Sequence, residues 1–325
     1  MNSVKFRIIL AIILPTLLSF IGCGDLTDFD EPGNLVPKTV DEDPSLPSIS
    51  VNSTLLHAET YGNQNDPMLV ILHGGPGSDY RSMLNCAEFA NDGFYVVFYD
   101  QRGSGLSQRL DNFDYTPQIF VDDLNAVINH YRQSANQKIF LYGHSWGAML
   151  AGAYIDQNVD EISGAILTEA GGLTWEDTEA YIERWQKIEL FDETTNDLVY
   201  LDQFITGESH EVLDYKASLL NTDHLVGDAG PVPFWRVGAI CNHKTLEYAT
   251  EHGFDFTTNL HQYATPVLFG YSDLNKAYGK EHAEKVSSAF PNVQLVEITG
   301  TGHDIPYFGW DNFYPLAKAY LIDLK

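Results

Sequence analysis

Two glycines, Gly143 and Gly147, constrain this chain more than anything else in it. The run before them, Lys138-Ile-Phe-Leu-Tyr, is apolar and aromatic, and the run after them, Ala148-Met-Leu-Ala, is small and suits a helix. A buried strand that turns directly into a helix brings backbone against backbone at the turn. No Cβ fits there, so both ends call for glycine. The enclosed residues, His144-Ser145-Trp146, complete the pattern G-x-S-x-G, the nucleophile elbow, which exposes a serine hydroxyl at the tip of the turn above a helix N-terminus. A plain Gly/Ser turn between strand and helix has the same five-residue signature. The rest of the chain decides between the two.

Three further stretches repeat the elbow's rhythm. Met68-Leu-Val-Ile-Leu72 is a continuous apolar run that ends in His73-Gly-Gly-Pro-Gly77, and Phe94-Tyr-Val-Val-Phe-Tyr99 ends in Asp100-Gln-Arg-Gly-Ser-Gly105. Ile162–Thr168 follows the elbow helix. Short runs of this kind read as strands buried on both faces, as in a parallel sheet. Between Thr116-Pro117 and Arg132, apolar residues recur at helical spacing, with Thr116 at the N-cap and Pro117 in the first helical position. Strands alternating with helices predict a mostly parallel, doubly wound α/β sheet, with its site outside the strands' carboxyl ends. The loops at His73, Asp100 and Ser145 all fall there. Ile49 to Tyr61 alternates as an edge strand or hairpin should.

From Gly171 to about Gln262 the strand rhythm stops, and aromatic and acidic helical stretches such as Trp175–Phe191 and Leu198–Phe204 take over. This reads as a helical cap, residues 171–262, inserted between strands 6 and 7 of a core made of residues 48–170 and 263–325. The core resumes with a strand at Thr265–Gly270, a helix at Lys280–Phe290, a strand at Val293–Ile298 and a closing helix at Asn312–Leu324.

The amino-terminal end reads differently. Lys5 and Arg7 precede an apolar run, Ile8–Ile21, broken by Pro15, which suits a signal sequence better than a membrane span. Residues 1–22 are therefore expected to be a signal peptide. Phe20-Ile-Gly-Cys23 resembles the lipobox of bacterial lipoproteins, although the first of the four is usually Leu. The resemblance implies a lipidated Cys23 and a protein anchored to a membrane of the bacterial cell envelope without spanning it. Residues 23–47, rich in Asp, Glu, Pro and Gly, read as an acidic flexible tether. The whole chain carries a formal charge of −27, which argues against nucleic acid as a partner and suits either a cationic ligand such as a free amino terminus or the solvation of a secreted protein's surface. Cys86 and Cys241, the two remaining cysteines, are expected to be buried free thiols.

A nucleophilic serine needs a base, an orienting acid and an oxyanion hole. His303, in Gly300-Thr-Gly-His-Asp304 beyond the last strand, combines the chain position and loop type a base requires. Asp273, just past the strand ending at Gly270, is the expected acid. Glu169, one strand earlier, is its rival, and Asp304 adjoins the base too closely to fold back onto it. The oxyanion donors are expected to be the backbone N–H of Trp146 and one from the His73–Gly77 loop. Asp100 and Arg102 are expected to hold loops together. The set calls for no metal and no cofactor.

With these residues in view, His73-Gly-Gly-Pro-Gly77, Asp100-Gln-Arg-Gly-Ser-Gly105 and Gly-x-Ser145-Trp-Gly together resemble the proline iminopeptidases (prolyl aminopeptidases, peptidase family S33) of the α/β-hydrolase superfamily, over roughly residues 50–325. The resemblance implies the α/β-hydrolase fold and assigns the second oxyanion donor to Gly75. It also implies release of amino-terminal proline from short peptides through an acyl-enzyme, with cap carboxylates receiving the substrate's amine. Glu169, Glu176, Glu179 and Glu183 are candidates for that contact. The family usually has Gly where this chain has His144. The variant also occurs in esterase-like and C–C bond hydrolase relatives, so His144 joins the candidate substrate-binding residues. An esterase or amidase of another small molecule stays open as the alternative, and a non-catalytic ligand-binding lipoprotein as a remote one.

Overall fold

The computed structural model describes residues 35–111, 115–189, 209–220 and 226–325. The expected signal peptide, Cys23 and the helix expected at residues 198–204 lie outside them. Among the described residues one sheet has eight strands: β1 (Ser48–Val51), β2 (Thr54–Tyr61), β3 (Met68–Leu72), β4 (Tyr95–Tyr99), β5 (Ile139–His144), β6 (Gly164–Thr168), β7 (Val267–Ser272) and β8 (Val293–Ile298). Their spatial order is β1-β2-β4-β3-β5-β6-β7-β8. β1 and β2 form an antiparallel hairpin, β2 runs antiparallel to β4, and every later pairing is parallel.

Every residue of β3 through β7 is buried, which is why those strands read as unbroken apolar runs. Alternate side chains serve opposite layers. Val70, Leu72, Val97, Leu141, Leu167 and Phe269 pack toward the helices Pro117–Tyr131 and Trp146–Gln157. Leu69, Ile71, Val96, Phe98, Tyr142 and Leu268 pack toward the closing helix Trp310–Leu324 and a 3-10 helical segment, Tyr80–Asp92. That segment buries Tyr80, Met83, Cys86 and Phe89, a three-residue repeat that matches a 3-10 turn. Cys86 and Cys241 are buried thiols in the two different layers.

The cap leaves the core after β6 and returns before β7. Its described helices are Trp175–Glu189, His210–Leu220 and Ala239–His252. Its base is pinned by Trp175 N–H donating to Phe254 O (2.9 Å) and Phe256 N–H to Leu173 O (2.9 Å). The expected tether is corrected in its second half. Residues 35–47 are seated on the molecule, with Val36, Thr39 and Val40 buried. Val40 N–H donates to Leu106 O (2.8 Å), and the Arg236 guanidinium reaches both Pro37 O (2.9 Å) and the Glu42 carboxylate (3.1 Å). The acids that suggested solvation serve local structure instead, as where Glu42 accepts from Thr39 N–H at 2.8 Å.

Candidate active site

The elbow joins β5 to the helix Trp146–Gln157, and its glycines are required sterically. A Cβ on Gly143 would lie 2.2 Å from Gly147 O, and one on Gly147 would lie 2.0 Å from Leu72 O. Ser145 itself sits at φ 54°, ψ −121°, a region L-residues avoid. Its N–H donates to Thr168 O at 2.8 Å, which fixes the turn to the end of β6. A Cβ on Gly74 would fall 3.1 Å from Ser145 Cβ, so the His73–Gly77 loop lies directly against the serine.

The three glycine-rich loops are bolted together by buried side chains. His73 Nδ1–H donates to Gly74 O (2.8 Å) while its Nε2 accepts from Gln101 N–H (2.9 Å). Gln101 also donates from Nε2 to His73 O (2.9 Å) and accepts from Trp146 Nε1–H (2.9 Å). Burial lowers the His73 pKa, in keeping with this neutral tautomer. Arg102 clasps Asp123 through two bonds of 2.7 and 2.6 Å, and Asp100 accepts from Tyr80 N–H (3.1 Å) and Leu106 N–H (2.8 Å) while its Oδ2 lies 2.8 Å from His57 Nδ1. Buried from solvent, Arg102 ties its loop to the helix Pro117–Tyr131, and Asp100 ties the same loop to β2 and to the segment Tyr80–Asp92, rather than joining loop to loop.

The carboxylate that meets His303 is Glu169, not Asp273. Glu169 Oε2 lies 3.4 Å from His303 Nδ1. The carboxylate is wholly buried and held on all sides: Oε1 accepts from Ser272 N–H (2.7 Å) and Ser272 Oγ–H (2.8 Å), and Oε2 from Asn275 Nδ2–H (2.8 Å). Like Ser145, Glu169 has a positive φ, 51°. Asp273 instead accepts from Gly300 N–H at 2.8 Å. The reason is local. β7 ends at Ser272, and the turn beyond it sends Ser272 and Asn275 inward as donors while Asp273 faces the β8 turn. Burial pulls the His303 pKa down, but the hydrogen bond and charge of Glu169 outweigh it, helped by the charges of Asp304 and Asp228, so the net direction is upward.

His144 does not line a substrate surface. Only 3% exposed, it pairs Nδ1 with Thr168 Oγ (3.1 Å) and packs its ring 4.9 Å from that of His303. Its Nε2 stands 3.7 Å from Asp304 Oδ1. Burial, followed by the neighbouring His303, holds its pKa well below the usual histidine value, so it is a neutral ring behind His303. Glu169 is equally unavailable to a substrate amine. Glu176 and Glu179 are exposed on the cap's first helix, with Glu176 near Lys285. Gly75, with φ 116°, and Trp146 follow directly on the two residues in contact, Gly74 and Ser145. Ser272 and Asn275, which hold Glu169, and two cap residues near His303, Tyr181 and Asp228, carry no local sequence signal. Among the described residues, no group of three or more His, Cys, Asp or Glu is placed to hold a metal ion.

The strand order, the elbow and the cap inserted after β6 define an α/β-hydrolase architecture, and residues 67–309 match the alpha/beta hydrolase fold family. The chain belongs to that family. It is similar to a proline iminopeptidase of Lactobacillus helveticus, 40% identical over 106 residues, covering 31% of this chain and 35% of that protein. A second, from Thermoplasma volcanium, is 35% identical over 106 residues, covering 33% and 35%. The chain thus spans about a third of the length of these relatives. Among solved structures, VinJ superposes with a TM-score of 0.63 at 17% identity, covering 86% of this chain and 98% of that one. The proline iminopeptidase of Mycobacterium smegmatis superposes with a TM-score of 0.60 at 18% identity, with the same coverage. Both share the fold.

Proposed function

We propose that this hydrolase works through Ser145 as nucleophile, His303 as general base and Glu169 as the orienting acid, and that it releases amino-terminal proline or similar residues from short peptides. The observation that carries the chemistry is the His303–Glu169 pair beyond the ends of β8 and β6, on the same side of the sheet as a serine held in an elbow conformation. With Nδ1 turned to Glu169, His303 Nε2 is the nitrogen left for Ser145. The serine oxygen attacks the scissile carbonyl carbon while its proton passes to Nε2. The oxyanion formed is received by the N–H groups of Gly75 and Trp146, each worth about 3 kcal/mol of transition-state stabilisation. Collapse breaks the C–N bond as His303 returns the proton to the departing amine. Water then repeats the sequence on the acyl-enzyme and frees Ser145. Glu169 keeps the imidazole in the productive tautomer and balances the imidazolium.

The peptidase reading is supported by the three loop motifs and by the relatives named above. One observation favours the alternative, an esterase or amidase. Of the four acids suggested for amine binding, Glu169 is committed to His303, and Glu176, Glu179 and Glu183 are exposed. Parallel assays of proline naphthylamide and p-nitrophenyl esters between roughly pH 6 and 9, spanning the titration of a histidine base, separate the two. Turnover of the naphthylamide supports the aminopeptidase. Turnover of esters alone would count against it.

A further inference from the structure

Two separate pieces of the cap converge on His303, and neither is a lid over empty space. The first is the helix Trp175–Glu189. Its Tyr181 Oη lies 3.5 Å from His303 Nδ1 and accepts from Asn275 Nδ2–H at 3.2 Å, the same side chain that holds Glu169. The tyrosine ring is fixed by stacking on His282 (centroids 5.6 Å apart, planes 22°) and by an edge contact with Tyr278 (5.4 Å). One turn on, Arg184 Nε–H donates to Ala277 O at 2.8 Å, fastening the helix to the loop that carries Asn275.

The second piece is the strap Val226–Asp228. Val226 O accepts the His303 N–H (3.2 Å), and both Asp228 oxygens lie 3.1 Å from the Asp304 N–H. The strap lies flush on the histidine loop, since a Cβ on Gly302 would fall 2.2 Å from Gly227 C and 2.3 Å from Asp228 N. The cap therefore holds the imidazole at one nitrogen and its backbone at two consecutive peptide groups.

Resting on the reading of His303 as the base, we propose that Tyr181 and Asp228 are positioning residues through which a seated cap sets the orientation and proton affinity of His303. When Nδ1 carries its proton, Glu169 Oε2 and Tyr181 Oη are both acceptors for it, so the tyrosine helps hold the imidazolium. The groups facing the ring are Glu169 from the end of β6, Asp304 from its own loop, Asp228 from the strap, His144 behind it and Tyr181 from the cap helix. Asp228 and Asp304 are a buried acid pair. Burial and then the charge of Asp304 push Asp228 up to about 8, and burial raises Asp304 as well. On this view the cap affects the chemistry even for a substrate too small to touch it.

The test is the rate at which a small fluorophosphonate labels Ser145 in the full chain, followed across pH. Tyr181→Phe keeps the ring contacts and removes only the hydroxyl. It is expected to lower the midpoint of the acidic limb by about half a unit and to slow labelling about three-fold, the effect of one modest hydrogen bond. Asp228→Ala is expected to slow labelling about ten-fold, and Asp228→Asn, which keeps an oxygen for the Asp304 N–H, to recover most of the rate. An unmoved midpoint in Tyr181→Phe, or a rate loss in Asp228→Ala that Asp228→Asn does not recover, would overturn the proposal even if thermal stability falls. Failure of the unmodified protein to label at Ser145 would instead overturn the reading of the site beneath it.

Discussion

Ser145 and Glu169 are the two non-glycine residues of the site with positive φ, at 54° and 51°, and the other two among the described residues, Asn52 and Ser53, form the β1–β2 turn. A turn supplies its own reason for such a conformation. At Ser145 the reason is the aim of a hydroxyl, and the strain, of order 1–3 kcal/mol, is held by the surrounding packing. Ser145→Gly is therefore expected to abolish hydrolysis while raising the melting temperature, a pairing that differential scanning calorimetry and an ester assay check together. The pH dependence follows from His303. A base must be unprotonated, and because its pKa is raised, the acidic limb of kcat/KM should lie above the ordinary histidine value of about 6.5. Glu169→Gln should move that limb down and cut kcat by about 10⁴. The same pairing stabilises the fold fully below the unfolded-state histidine pKa and is lost as pH rises through the raised value. Ser145 and His303 were legible in the sequence because each sits in a glycine-bracketed loop after an apolar run. The choice between two acids after consecutive strands was not. It depends on which way the turn after Ser272 points its donors, and Asn275 and Ser272 settle that only in three dimensions.

Among the elements, the strands of the sheet's interior were readable because burial on both faces leaves them apolar up to their last residues, His144, Thr168 and Ser272 at the ends of β5, β6 and β7, and Pro117 and Thr116 announced their helix directly. The 3-10 segment Tyr80–Asp92 had a signal in its three-residue repeat that a search for helical and two-residue periods passes over. Residues 35–47 misled for a different reason. Asp, Glu and Pro are the composition of a tether, but whether acids are solvated or spent depends on a cation elsewhere in the chain. That cation is Arg236, 1% exposed, which bonds Asp214 (2.7 Å), Glu42 (3.1 Å) and Pro37 O (2.9 Å). Asp214 also receives Arg109 at 2.8 Å and Ala239 N–H at 3.0 Å, so one node joins two cap helices and the amino-terminal segment. Arg236→Met removes a buried partner without removing the acids. It is expected to cost about 3–5 kcal/mol in denaturant unfolding and to expose residues 35–47 to limited proteolysis.

For the molecule as a whole, the sheet carries the chemistry and the cap supplies the surroundings, so the architecture was predictable while the substrate was not. Cap helices read as amphipathic segments, and their contacts with His303 through Tyr181 and Asp228 are tertiary facts with no local signature. If the lipobox reading of Cys23 holds, radiolabelled palmitate is incorporated by the intact chain in a bacterial host and not by Cys23→Ser. Among the described residues no helix is long and apolar enough to cross a membrane, and anchoring through Cys23 requires none. The mechanism proposed for this site rests on activation of Ser145 by His303 held on Glu169. Its most direct test is peptide mapping of the fluorophosphonate adduct in three proteins: unaltered, Glu169→Gln and Asp273→Asn. A Ser145 adduct is expected to form equally fast in the unaltered protein and in Asp273→Asn, and to be nearly absent in Glu169→Gln. Loss of the adduct in Asp273→Asn with its retention in Glu169→Gln would contradict the mechanism.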